Sequence, residues 1–189
     1  MGEFNPFGYH LANAIGHGIV SSLVFVTAFC LFKDINFKSI VTGVLYASHP
    51  IHTDAVASVV GRAEILCAIF FCLSLISYIN CVSFIDIKDS QDANSKTIKE
   101  KTNWILFYLS IFFALLSIFS KENGITVLGI FGIYDAIFIH PFNFKWFTKK
   151  YWNKKTGFFV RHTISVGTIL FLLALRKKYV FRWTPNVNI

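Results

Sequence analysis

The chain has 189 residues, 54% hydrophobic and 17% aromatic, with only 15% charged and 22 Phe. Polar residues this scarce cannot cover the apolar surface of a soluble domain of that size, so lipid is the natural solvent for the excess. A formal net charge of +8 raises nucleic acid as a partner. The basic residues, however, cluster just outside apolar runs, which is the pattern of lysine-rich cytoplasmic loops, so nucleic acid is not an expected partner.

Apolar runs at roughly 9–32, 37–50, 63–85, 103–119, 124–140 and 159–176 predict an all-α, polytopic membrane domain of about six spans. The first run follows Glu3-Phe-Asn-Pro6 with no basic region and no small-residue cleavage pattern after it, so it reads as a true span, or the chain begins inside a longer protein. The second run is short and is interrupted by His49-Pro50. Asp86 to Asn103, with its Lys, Asp and Glu residues, reads as a solvated loop. Lys145 to Lys155 interleaves lysines with Trp146, Tyr151 and Trp152, the composition of a membrane interface. Cys30, Cys67, Cys72 and Cys81 match no zinc spacing and read as free thiols within apolar runs. One helical domain over 1–178 is expected, with an eleven-residue tail, 179–189.

With six spans, Lys33 and Lys38, the loop after residue 85 and the Lys145–Lys155 stretch share one side, which the positive-inside rule makes cytoplasmic. The amino terminus, the His49–Glu64 loop and the Ser120-Lys-Glu-Asn-Gly124 turn then face the opposite side. So do Arg176, Lys177, Lys178 and Arg182, against the rule. Either the last run does not cross, or those cations meet an anionic ligand such as a lipid phosphate.

Several polar groups sit where burial makes them costly. His49, His52 and Asp54 fall within six residues. They form either a polar site or a helix junction in which the imidazoles bond backbone carbonyls and Asp54 opens the next helix. No metal-ligand spacing is present. Arg62 suits bidentate contact with a phosphate, or an ion pair with Glu64 or Asp54. Lys121 and Glu122 belong to a short turn, read as a solvated tip or as an anion site. Asp135 is expected to pair with nearby basic residues, and Arg161 and His162 to anchor their span by snorkelling.

Three stretches in order, Asn5-Pro-Phe-Gly-Tyr-His-Leu-Ala-Asn13, Ser48-His-Pro-Ile-His-Thr-Asp-Ala-Val-Ala-Ser-Val-Val-Gly-Arg-Ala-Glu64 and Ser120-Lys-Glu-Asn-Gly-Ile-Thr126, resemble the transmembrane and tetratricopeptide-repeat-containing (TMTC) O-mannosyltransferases. The resemblance runs from about residue 4 to about residue 175 and leaves the tail unmatched. It implies a C-type glycosyltransferase fold in the endoplasmic reticulum membrane. It further implies dolichyl-phosphate mannose as donor and Ser or Thr hydroxyls of cadherin-like proteins as acceptors. A divalent metal is left open. The base that such enzymes place in the first luminal loop has no counterpart before Asn5, and no tetratricopeptide repeats follow. The chain is therefore expected to be an incomplete piece that does not catalyse by itself. Asp54, His49 and His52 would form a supporting wall of the site, and Arg62, Lys121 and Arg176 would meet the donor phosphate. Glu64 and Glu122 would be further luminal polar groups. A transporter or channel with His49, His52, Asp54 and Glu64 along an ion path, and a non-catalytic membrane scaffold, are the rival readings.

Overall fold

The structure, a computed structural model, describes residues 6–32, 37–58, 61–88, 96–139 and 156–183. In order these form α1 (Pro6–Phe32), α2 (Phe37–Ser48), α3 (His52–Ala57), α4 (Arg62–Cys81), β1 (Val82–Lys88), β2 (Lys96–Thr102) and α5 (Trp104–Ser120). A 3-10 turn (Glu122–Ile125) leads into α6 (Thr126–Tyr134), which runs on as a π-helical turn (Asp135–Ile139), and α7 (Thr156–Trp183) closes the set. Each of the six apolar runs carries a helix, and the membrane domain is all-α. Three stretches, Phe7–Phe32, Arg62–Cys81 and Glu122–Ile139, are long and apolar enough to cross a membrane, and Trp104–Ser120 and Phe159–Leu172 are shorter apolar helices. Helix α2, expected as a span over 37–50, has 12 residues. At 1.5 Å per residue it covers about 18 Å, short of a hydrocarbon layer of about 30 Å.

Contacts gather into two units, residues 1–127 and 128–189. In the first, α2 returns antiparallel along α1, with Gly43 against Phe25 and Ala47 beside His17. Helix α4 runs parallel to α1, with Ile65 packed over Gly16 and Asn80 reaching Cys30 at 3.8 Å. Helix α5 is antiparallel to α4. Serines let the two backbones approach and bond across the seam: Ser117 Oγ donates to the Cys67 carbonyl at 3.0 Å and Ser74 Oγ to the Ser110 carbonyl at 2.8 Å. Asn103 caps α5 by accepting from the Ile105 amide at 3.1 Å, an orphan donor at a helix start. Large apolar side chains on outward faces, among them Ile15, Val44, Ile105, Phe112 and Phe119, are exposed, as lipid contact requires. Cys67, Cys72 and Cys81 are buried, Cys30 is half-buried, and all four are free thiols.

The stretch expected as a solvated loop carries an antiparallel hairpin instead, and the third apolar run stops being helical at Cys81. Val82-Ser-Phe-Ile-Asp-Ile-Lys88 is rich in β-branched and aromatic residues and ends in alternation, which favours a strand over a further helical turn. The ladder also continues the α4–α5 pairing. The Asn103 amide donates to the Cys81 carbonyl at 2.7 Å, followed by Val82 opposite Thr102 and so on to Lys88 opposite Lys96.

In the second unit Asp135 opens the π-helical turn and is fully buried together with Arg161. Arg161 Nη2 donates to Asp135 Oδ2 at 3.0 Å, and His162 Nε2 lies 3.2 Å from the same oxygen. Asp135 thus finds the basic partners expected of it. Arg161 does not snorkel: a buried carboxylate within reach offsets its charge where it stands, so the side chain has no need to extend to water. Helix α7 continues without a break past residue 178 to Trp183.

Asp135→Leu is expected to cost about 3–5 kcal/mol, because it strands a buried guanidinium. Asp135→Leu with Arg161→Leu should recover most of that loss. Thermal unfolding of the purified chain in detergent checks both outcomes.

Candidate functional site

The site is built on a broken helix. Helix α2 ends at Ser48 because Pro50 cannot continue it, and α3 begins only at His52. A break in a membrane helix leaves carbonyls without partners, and each costs several kcal/mol in an apolar layer. Two polar residues one turn apart on α1 take up carbonyls at the ends of α2 and α3. His17 Nε2 donates to the Ala47 carbonyl at 3.2 Å. The carboxamide of Asn13, 2% exposed, donates to the Val56 carbonyl at 3.1 Å and the Ser58 carbonyl at 2.9 Å. The helix rise puts His17 about 16 Å along α1 from Pro6, so the break is recessed beside the middle of α1 and does not lie at its end. The chain then climbs from the break to Arg62, which stacks on Tyr9 near the start of α1. Gly61 is required by close approach on this climb: a Cβ there would lie 1.9 Å from the Ala55 carbonyl oxygen.

Around the break, aromatic rings gather. Tyr46 and His52 lie 4.2 Å apart by ring centroids, and His17 is 5.8 Å from Tyr46 and 5.3 Å from His52. His49 is 5.9 Å from His52. His49 Nδ1 accepts from the Ile51 amide at 3.2 Å, which places its proton on Nε2. The histidine that bonds a carbonyl is therefore His17, and the carbonyl bonds of His49 and His52 in the helix-junction alternative are not formed among the described residues. Among the described residues no group of three or more His, Cys, Asp or Glu is arranged to hold a metal ion. Partial burial, and then the neighbouring His17 and His49, hold the His52 imidazole below its ordinary pKa.

Asp54 stands in the first turn of α3, as expected, with its side chain exposed and no ion pair among the described residues. The expected pairing of Arg62 with Glu64 or Asp54 is not formed. The Arg62 guanidinium lies 4.3 Å from the Tyr9 ring centroid, and stacking leaves its N–H edges open to solvent. Glu64 instead forms an ion pair with Lys121, whose turn the sequence read as a solvated tip or an anion site. Glu122 is exposed and opens the 3-10 turn. Gly124 is required there, since a Cβ would come within 2.5 Å of the Ser117 backbone. Arg176 is on α7, with its side chain outside the described part of the structure.

The Glu64–Lys121 pair stands on the rim of a cavity of about 390 Å³. Asn123 and Thr126 complete the polar rim, while Val20 and Val24 of α1 and Ala68, Phe71 and Cys72 of α4 line an apolar floor, with Tyr46 at its side. A cavity with a charged rim over a greasy floor suits an amphipathic ligand.

Over 186 residues the chain is 33% identical to human protein O-mannosyl-transferase TMTC4, covering 92% of the chain and 24% of that protein. It is 38% identical over 136 residues to human protein O-mannosyl-transferase TMTC3, covering 72% of the chain and 13% of that protein. It is 31% identical over 190 residues to Xenopus laevis protein O-mannosyl-transferase tmtc2, covering 98% of the chain and 20% of that protein. The chain belongs to the TMTC family. It spans about a quarter or less of the length of these TMTC relatives. No family model matches it, and no solved structure matches it. Within this TMTC segment, the sequence singled out both partners of the Glu64–Lys121 pair and missed Asn13 and His17 as site residues. Their signal was two polar side chains four apart in an apolar run.

Asn13→Leu is expected to destabilise the chain by about 1–3 kcal/mol, since the Val56 carbonyl loses the Asn13 donor and the Ser58 carbonyl keeps the Gly61 amide, as read by thermal unfolding. Because the folded state lowers the His52 pKa, it binds fewer protons there than the unfolded chain does, so stability rises with pH. That contribution is complete above about pH 6.5 and is lost as pH falls through the lower folded value. Hydrogen exchange of residues 49–58, corrected for intrinsic rate, should therefore speed up on going from pH 7.5 to pH 5, and His52→Phe should flatten the change.

Proposed function

We propose that the chain is the membrane-embedded part of a protein O-mannosyltransferase of the endoplasmic reticulum that uses dolichyl-phosphate mannose and acts on Ser or Thr hydroxyls of luminal, cadherin-like domains. What supports this is the cavity whose rim carries the Glu64–Lys121 pair, beside the recessed break that carries His49, His52 and Asp54, with Arg62 two residues before Glu64 on α4. Its apolar floor fits the first part of a polyisoprenyl chain, and its rim presents Lys121 to a phosphate. The relatives carry the name protein O-mannosyl-transferase.

In the proposed reaction the acceptor hydroxyl oxygen attacks the anomeric carbon of mannose and a base takes its proton. The bond from that carbon to the phosphate oxygen breaks, and dolichyl phosphate leaves with the electron pair. Arg62 is suited to the charge that develops on the departing phosphate: stacking on Tyr9 fixes its plane and leaves its donors free for a bidentate contact. Asp54, His49 and His52 form the neighbouring polar wall, and the principal base is assigned to no residue of this chain. Arg176 is a further phosphate contact proposed on charge alone.

The 189-residue chain in phospholipid nanodiscs is expected to bind dolichyl-phosphate mannose in preference to dolichol, and Arg62→Ala to weaken that binding about tenfold, equivalent to one charge-assisted hydrogen bond. Binding that ignores the phosphate, or that Arg62→Ala leaves unchanged, would contradict the assignment.

A further inference from the structure

Glu64 and Lys121 come from two stretches 57 residues apart, and the fold brings them together as an ion pair. The pair is half open to solvent, with side-chain exposures of 50% for Glu64 and 36% for Lys121. It sits on the rim of the cavity, above a floor that carries no charge. The remaining rim residues are neutral, and Thr126 spends its hydroxyl proton on the Asn123 carbonyl at 2.8 Å. Lys121 is thus the one cation among the described residues that line the cavity, and a carboxylate already occupies it.

We infer that Glu64 is a built-in competitor for the lipid phosphate: its carboxylate holds Lys121 until the phosphate of a polyisoprenyl ligand displaces it. This rests on the donor assignment proposed above and adds a regulation to that site. Exposed ion pairs are weak, about 0.2–1 kcal/mol, so a phosphate brought in by its own apolar chain can replace the carboxylate at little cost. A carboxylate and a phosphate crowded on one ammonium also repel each other, so Glu64 lowers the affinity for any phosphate on the rim. The effect is greatest for the leaving polyisoprenyl phosphate, which as a monoester bears more negative charge than the sugar-linked diester. Glu64 therefore favours product release.

The test measures binding of polyisoprenyl phosphate to the 189-residue chain in neutral phospholipid nanodiscs, with polyprenol, inorganic phosphate and phosphatidic acid as separate arms. Glu64→Gln is expected to tighten polyisoprenyl phosphate about two- to fivefold, the range an exposed pair allows. Lys121→Gln should weaken it about tenfold, and Glu64→Gln should bring little gain when Lys121→Gln is already present. Glu64→Ala removes the same charge with a smaller side chain and repeats the result should Glu64→Gln fold poorly. Wild-type protein that binds polyprenol as tightly as polyisoprenyl phosphate would overturn the donor assignment itself. Wild-type binding that prefers the phosphate, with Glu64→Gln and Glu64→Ala neutral or weakening, would overturn the competitor role alone. Equal gains for inorganic phosphate or phosphatidic acid would overturn the assignment of the rim to a polyisoprenyl ligand.

Discussion

The arrangement depends on satisfying backbone carbonyls where a helix stops beside an apolar span. Pro50 ends α2 after 12 residues, and carbonyls freed beside an apolar span need donors. His17 on α1 donates to Ala47 at the end of α2, and Asn13 donates to Val56 and Ser58 at the end of α3. They fix both the depth of the break and the path of the chain that leaves it. From that anchor follow the stacking of Tyr46 and His52 beside His17, the ascent through Gly61 and the placement of Arg62 over Tyr9. Polar side chains in an apolar run are expensive in isolation. Here they offset a larger cost, that of a broken ladder.

A second constraint comes from α4 and α5. Their serine-lined seam is continuous with the hairpin beyond it, so the two helices have one register, and that register sets where the 3-10 turn after α5 meets the start of α4. Lys121 arrives beside Glu64 as a consequence. The cavity between α1, α4 and this turn is the space left when a rigid helical pair packs on a helix that already carries the broken segment. Function, on this reading, occupies a gap that packing creates. The chemistry at its rim is set by two residues that the chain itself keeps far apart.

Much of this was legible in the residues. Six apolar runs became six helical regions, and the stretches Ser48–Glu64 and Ser120–Thr126 both reached the rim of the cavity. What stayed hidden depended on long-range partners or on local competition. The run of charges after residue 85 drew attention from the β-branched alternation of Val82–Lys88, which formed a strand. Arg161 looked like an anchor because its partner, Asp135, lies 26 positions away. His49 and His52 stood out by their spacing, yet the donors that hold the break come from α1, where a lone Asn and a lone His resemble ordinary interruptions of a span. The depth of the break was equally invisible, because a proline fixes where a helix stops but not what lies beside it.

That depth decides where the site lies. With Cys30, Cys67, Cys72 and Cys81 replaced by serine, the chain in native membranes would carry His17→Cys with Ala47→Cys, or Tyr9→Cys with Ala47→Cys, and be treated with a mild oxidant. A disulfide between positions 17 and 47 and none between 9 and 47 is the result predicted by a break held beside the middle of α1. Cross-linking of 9 to 47 with none between 17 and 47 would place the break at the end of α1 and contradict the account.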